Sequence, residues 1–519
     1  MPSDRTPPQT PITGDQERFD RMLSLVLERR PVLSEILSAH GEETLYEYSR
    51  ENLENPPDPV INGRQDEFLA VFRDEVERLL GRECAEGAVR QLARYYFVST
   101  ADHHGPLCHP FWLNSDLVTA MPYEEKGDPA LNYVIVLATS NVYLNNCTYP
   151  RGLLYQSAAN GKTFMHRYPF FSRQSRQSPV FGFQPYTKQE VDTVTHLVQK
   201  DLQNGEISQP VADAMRTLIR DVYDRQEVYS LGDYSDQITV TNASLWKKFF
   251  ESSADRPRTE LVYLEQKRLV NQLILRHHLD QRTSVNRMLF ADDMETEIEA
   301  HYEGMTGAFS IEDNTGTYLF WALPPGATLR QSLHREGNKL VSEHGDYTLE
   351  LDPTSVRQAL ERGELIPSML LSYTVLALYY GLRCLGGYSQ VNYLTSMKEA
   401  YIKLHEERGN TESVAIAKTV ETKKMGADMM VAFASGPDDT VVSATGIDLA
   451  LYGRSDTWAT MMQQARTITL REAISSLMPE LYPCTYTERE RDPELLTLTT
   501  SDVSRLIGLD KKIQACITL

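Results

Sequence analysis

The chain reads as an α/β protein: an open sheet core interrupted by a large helical insertion. Three observations point there. Apolar runs rich in β-branched residues, above all "LNYVIVLAT" (131–139), have the composition of fully buried strands. Strand-like and helix-like segments alternate near both ends of the chain, whereas helical periodicity dominates the middle. The length, 519 residues, exceeds one minimal domain and suits a large α/β domain carrying an insertion. The expected organisation is a leader over 1–18, the first part of the α/β core over 19–186, the helical insertion over 187–312, and the second part of the core, with C-terminal helices, over 313–519.

Element by element, apolar positions Phe19, Met22, Leu23, Val26 and Leu27 predict helix over 17–53. "NPPDPVINGRQ" (55–65) predicts a loop, followed by a helix at about 66–93. A short strand, Tyr95 to Ser99, should follow, then "LNYVIVLAT" and the turn "NNCTYPRG" (145–152). Thr187 and Glu190 form a capping box opening a helix to about 203. Further helices are expected at 208–226, 243–252 and 257–280, and strands at 317–323 and 347–352. Asp352-Pro353 is a good N-cap and first-turn pair for a helix at 353–363. The uncharged run Leu365–Leu382 is too short and too polar for a membrane span and predicts a buried helix.

Composition narrows the function classes. A net charge of −20 argues against a nucleic-acid or anionic-membrane partner and leaves a small molecule as the expected ligand, with a homodimer as a possible assembly. The six cysteines never form a CxxC pair, so a reducing cytoplasm is the expected compartment. "MPSDRTPPQTPITGDQ" lacks the apolar segment of a secretory signal and reads as a leader without a fold of its own.

The first candidate site is "TADHHGPLCHP", which holds three of the twelve histidines within seven residues at the end of a strand. Ligands of open α/β sheets bind at such strand ends. His103, His104 and His109 are the candidate acid–base groups, with Asp102 orienting an imidazole, and the same three histidines are the candidate ligands of a divalent metal. On a regular strand, adjacent histidines face opposite sides, and only a turn lets both converge. Cys108, wedged within this turn, is the cysteine whose thiol merits testing. Asp-His-His also matches letters of the DHH phosphoesterases, but the upstream aspartate motifs those enzymes need are missing.

A second group comprises Asn145, Asn146 and Arg151 in the turn after the clearest strand, with His166, Arg167, Arg173 and Arg176 beyond it. Guanidinium forks on an acidic protein suit a carboxylate or phosphate. "NGKT" (160–163) is no P-loop, because Gln156 stands where the first glycine belongs. A third group, Gly386, Gly387, Tyr388, Ser389 and Gln390, offers backbone amides and side-chain donors.

Three blocks resemble the bacillithiol cysteine-adding enzymes: "STADHHGPLCHPFWLNSDLV", "LNYVIVLATSNVYLNN" and "IPSMLLSYTVLALYYGLRCLGGYSQVNYLTSM". Together they cover about a fifth of the chain. The family's first loop is Gly/Gln-rich where this chain has Ala101 to His104, and its acidic-histidine signature is replaced by Asn141, Asn145 and Asn146. The resemblance implies a Rossmann-like core and carbon–nitrogen bond formation between an amine-bearing metabolite and a second small molecule. The expected function is therefore a cytoplasmic enzyme of specialised, amino-acid-derived metabolism, of ligase or transferase type, working on a polar anionic metabolite in a His/Arg-lined cleft. Two alternatives stand beside it: a zinc or iron hydrolase or oxygenase using the histidine cluster, and a non-enzymatic helical scaffold. The cofactor is left open between a divalent metal, a nucleotide and none.

Overall fold

The computed structural model describes residues 14–54, 63–255, 257–310, 315–437 and 440–519. The expected leader over 1–13 and most of the expected loop at 55–65 lie outside the described residues. Residues 15–18, expected in the leader, open the helix Asp15–Arg29.

The protein is mixed α/β, with one parallel sheet and several other antiparallel or mixed ones among the described residues. The parallel sheet has four strands: β1 (Phe97–Ser99), β2 (Tyr133–Ala138), β3 (Glu260–Glu265) and β4 (Arg383–Leu385). Their spatial order is β3-β2-β1-β4, every neighbouring pair parallel. The chain thus starts in the middle, moves outward twice, and returns to place β4 on the free side of β1. Such a reversal leaves a crevice beyond the carboxyl ends of β1 and β4, where the strand order turns back.

Both faces of the sheet are covered. Val134, Val136 and Ala138 of β2 and Tyr263 of β3 pack into one core with Leu113, Leu117 and Trp246 of the helices Pro110–Ala120 and Tyr234–Phe249. Ile135 and Leu137 alternate with them and enter a second core with Phe68, Leu92 and Leu269 of the helices Arg64–Leu80, Arg82–Tyr95 and Gln266–His277. Burial on both sides is why β2 reads as an unbroken apolar run.

Five further strands form an antiparallel sheet, in the order Leu365–Pro367, Phe320–Ala322, Gln331–Glu336, Lys339–Ser342 and Thr348–Glu350. A three-stranded sheet unites Phe433–Ser435 with Val441–Ser443 and the C-terminal Ile517–Thr518. The capping box at Thr187 and Glu190 is present, as is the Asp352 cap.

Several expected helices are divided. Pro31 and Gly41 split the segment at 17–53 into three helices, and Gly81, at φ +86°, splits 66–93 into two. The expected helix over 257–280 is instead β3 followed by the helix Gln266–His277. The segment expected as a helical insertion therefore supplies an edge strand of the sheet. "NGKT" is the turn of a hairpin, Gly152–Ala159 with Lys162–Pro169, in which Asn160 and Gly161 take φ +51° and +72°. Leu365–Leu382 forms a strand, a short helix and a π-helix, and no helix among the described residues is long and apolar enough to cross a membrane.

Asp102 is the first correction to the site reading. It is fully buried, and its carboxyl interacts with that of Asp116 on the helix Pro110–Ala120 rather than with an imidazole. Burial pushes both carboxyls up; the charge of Asp102 raises Asp116 further, whereas a hydrogen bond from Tyr263 draws Asp102 part of the way back. A carboxyl raised on folding binds more protons in the native state, so its contribution to stability is full in acid and falls as pH rises above the ordinary carboxylate range. Asp116→Asn should therefore raise stability at pH 8 by about 1–3 kcal/mol and flatten its decline between pH 4 and 8. Urea unfolding at a series of pH values checks this.

Candidate functional site

Residues 102–104 continue the pairing of β1 beside β2: Thr139 N donates to Asp102 O at 2.8 Å and His104 N to Thr139 O at 2.9 Å. Strand alternation then separates the two histidines. His103 faces a cavity of about 550 Å³ at the carboxyl edge of the sheet. His104 points to the opposite side, stacks on Tyr263 and donates from Nε2 to Ser235 O at 3.1 Å. Its full burial lowers the imidazole to about 3. It is not in the cavity wall, so the expected set His103, His104 and His109 does not close on one metal position.

The cavity draws on the ends of all four strands. Thr100, Ala101 and His103 follow β1; Thr139, Asn141 and Val142 follow β2; Gln266 and Lys267 follow β3; Gly387 to Gln390 follow β4. His109 and Trp112 come from the helix start beyond the histidine turn, where His109 is the N-cap. His103 Nδ1 donates to Asn146 Oδ1 at 3.1 Å, leaving Nε2 as the nitrogen able to accept a proton. Asn146 also binds the amide and hydroxyl of Thr148, an Asx turn that fixes it. Burial lowers both imidazoles, that of His109 to about 4, so both are neutral near pH 7. Trp112 Nε1 is a buried donor with no hydrogen-bond partner among the described residues.

Lys267 is the group the sequence reading missed. Glu265 caps the helix Gln266–His277, accepting from the amides of Lys267 and Arg268 and from Ser140 Oγ at 2.6 Å. Lys267, only 2% exposed, lines the cavity and donates from Nζ to Ser372 Oγ at 2.8 Å. Burial pushes its ammonium down to about 7, opposed by the charge of Glu265 and assisted by that of Arg330. The signal was the stretch "ELVYLEQK" (260–267), an apolar run ending in Glu-Gln-Lys. Its periodicity also fits a helix, and that reading hid the strand end.

On the opposite wall, Gln390 donates to Thr100 Oγ1 at 2.7 Å and accepts from Tyr373 OH at 2.8 Å. Asp428, at φ +67°, is buried and accepts from Tyr388 N at 2.7 Å. Burial raises its carboxyl to about 6. A Cβ on Gly387 would lie 2.5 Å from Asp428 Oδ2, and one on Gly386 would lie 2.1 Å from the Gln390 amide. Close approach explains both glycines. Ser389 also accepts from Arg30 at 3.2 Å.

The arginine group falls elsewhere. Arg151 is buried beside Tyr149 and Ser172, Asn145 and Arg173 are exposed, and Arg167 borders a neighbouring hollow. His166 is clamped between Ser157 Oγ and Asp201 Oδ2, both at 2.7 Å. The order Ser-His-Asp is that of a nucleophilic triad, but Ser157 is 1% exposed and donates to Glu206 O at 2.8 Å, so the relay ties the hairpin to the helix Lys188–Asn204. Cys108 is fully buried and its thiol is pushed up to about 12, which makes it unreactive. The cation near the cavity is instead Arg330, held by Asn141 and stacked over Tyr143 and Trp321 at 4.6 and 4.4 Å.

Amine labelling of Lys267 by a small acylating reagent, followed by peptide mass spectrometry, should rise through about pH 7, well below the range of exposed lysines. Gly387→Ala should displace Asp428 from the Tyr388 amide and cost about 1–3 kcal/mol in urea unfolding. Neither the protein-family models nor the curated proteins contain a match to this chain.

Proposed function

We propose that the chain is an enzyme that forms a carbon–nitrogen or related bond on a small, polar, anionic metabolite bound at the carboxyl edge of the parallel sheet. The observation that carries this is the meeting of Lys267, His103 and the Gly387 helix start around one cavity. The order β3-β2-β1-β4, with its reversal beside β1, supports a Rossmann-like reading of the core.

In this reading Lys267 is the base. Its neutral amine accepts the proton of an incoming amine as the nitrogen adds to a carbonyl carbon of the substrate; the C=O π pair moves to the oxygen, which takes the proton back from the Lys267 ammonium to give a carbinolamine. His103, with Nε2 available, exchanges the second proton, and its neutral state at pH 7 suits that role. Tyr373 and Gln390 orient the electrophile, and the start of the helix Tyr388–Glu407 favours negative charge developing there. The anionic part lies toward Arg330, in an adjoining hollow of about 380 Å³ that shares Asn141 and Met369 with the main cavity. With His104 turned away, the metal alternative loses one of its three ligands.

The test is untargeted. Purified protein is incubated with a metabolite extract and the products are followed by mass spectrometry. Wild type should consume an anionic metabolite, and Lys267→Met should slow that by about 10²–10⁴-fold while keeping its fold by circular dichroism. Equal consumption by both proteins would overturn the assignment of Lys267.

A further inference from the structure

A second hollow of about 390 Å³ adjoins the main cavity on its other side. The two share His109, Phe111, Cys147, Leu477 and Glu480, whereas the Arg330 hollow meets the main cavity at Asn141 and Met369. The wall of this second hollow is largely hydrocarbon, Leu154, Met430, Phe433, Ile468, Leu509 and Ile513, with the exposed Arg167 on its outer side. Most of these are buried, and Met165 at the rim is 48% exposed. Polarity therefore falls along the series of three hollows, from the guanidinium, through the lysine and imidazole, to an apolar end. Where the last two meet, the passage is lined by Phe111, Leu477 and the neutral imidazole of His109, with the Glu480 carboxyl, raised by burial, beside them.

We propose that the apolar hollow holds a hydrocarbon chain of the substrate, which is thus an amphipathic anion with its head toward Arg330 and its reacting centre between Lys267 and His103. This rests on the cavity being the reaction site, and it specifies the substrate class that site takes. A purely polar metabolite would leave the Phe433 and Ile468 wall without an occupant. A chain of several methylenes would remove that wall from water and gain affinity with each carbon added.

The probes are butyrate, octanoate and dodecanoate, titrated into the full chain by calorimetry. Affinity should rise about fourfold per methylene between butyrate and octanoate. Ser476→Trp, which fills the hollow from its wall, should abolish that gain and leave butyrate binding as in wild type. Met165→Asp, at an exposed position that cannot disturb the core, should weaken dodecanoate several-fold. Affinity that does not change with chain length, or a rise that both variants leave intact, would overturn the proposal. Lys267→Met separates the two readings. A chain-length dependence retained in that variant supports the hollow, and if turnover is retained as well, the hollow stands and the assigned chemistry falls.

Discussion

Everything at the site depends on the parallel pairing of β1 with β4. Phe97, Val98 and Ser99 align with Arg383, Cys384 and Leu385, so two segments nearly 290 residues apart end side by side. The pairing is held by burial. Arg383 is buried and donates to the carbonyls of Asn52 and Tyr95, and burial lowers even its guanidinium to about 10. Gln390 then ties the two strand ends together through Thr100 and the Cys384 carbonyl. Because β4 returns to the free side of β1, the loops after the two strands diverge to opposite faces and leave a hollow between them.

Burial also sets the chemistry of the groups around that hollow. Charged forms are disfavoured throughout, which leaves Lys267 easily deprotonated, His103 and His109 neutral, and Asp428 easily protonated. These are the protonation states acid–base work near neutral pH needs. The protein carries a large negative charge overall, yet Arg330 gives the inner end of the hollow a local positive character. Global charge sets the behaviour of the surface, and local placement sets that of the site.

The sequence made much of this legible. β2 is visible because burial on both faces forces an unbroken apolar run, and the caps at Thr187 and Asp352 announce their helices by local chemistry alone. The histidine turn, through His103 and His109, and Gly387 of the paired glycines reach the cavity, as strand-end placement and close backbone approach suggest; Gly386 packs against Gln390 instead. The failures have physical causes. β3 is six residues long and flows into a helix, so its period is masked by that of its neighbour. Asp102 and His104 alternate away from the cavity because the turn keeps strand geometry for longer than the letters imply. Of the arginines after β2, Arg167 lies on a hairpin whose Asn-Gly turn resembles part of a phosphate loop, and Arg173 and Arg176 lie in the short helix beyond it. Arg330 and Asp428 reach the site through tertiary packing, for which no local pattern exists.

The most direct measurement is a crystal structure of the protein bearing whatever small molecule accompanies it through purification. The account predicts ordered ligand density bounded by Lys267, His103 and Gly387, with its charged end toward Arg330. Ligand density confined to another surface, with the hollow between β1 and β4 filled only by solvent, would contradict it.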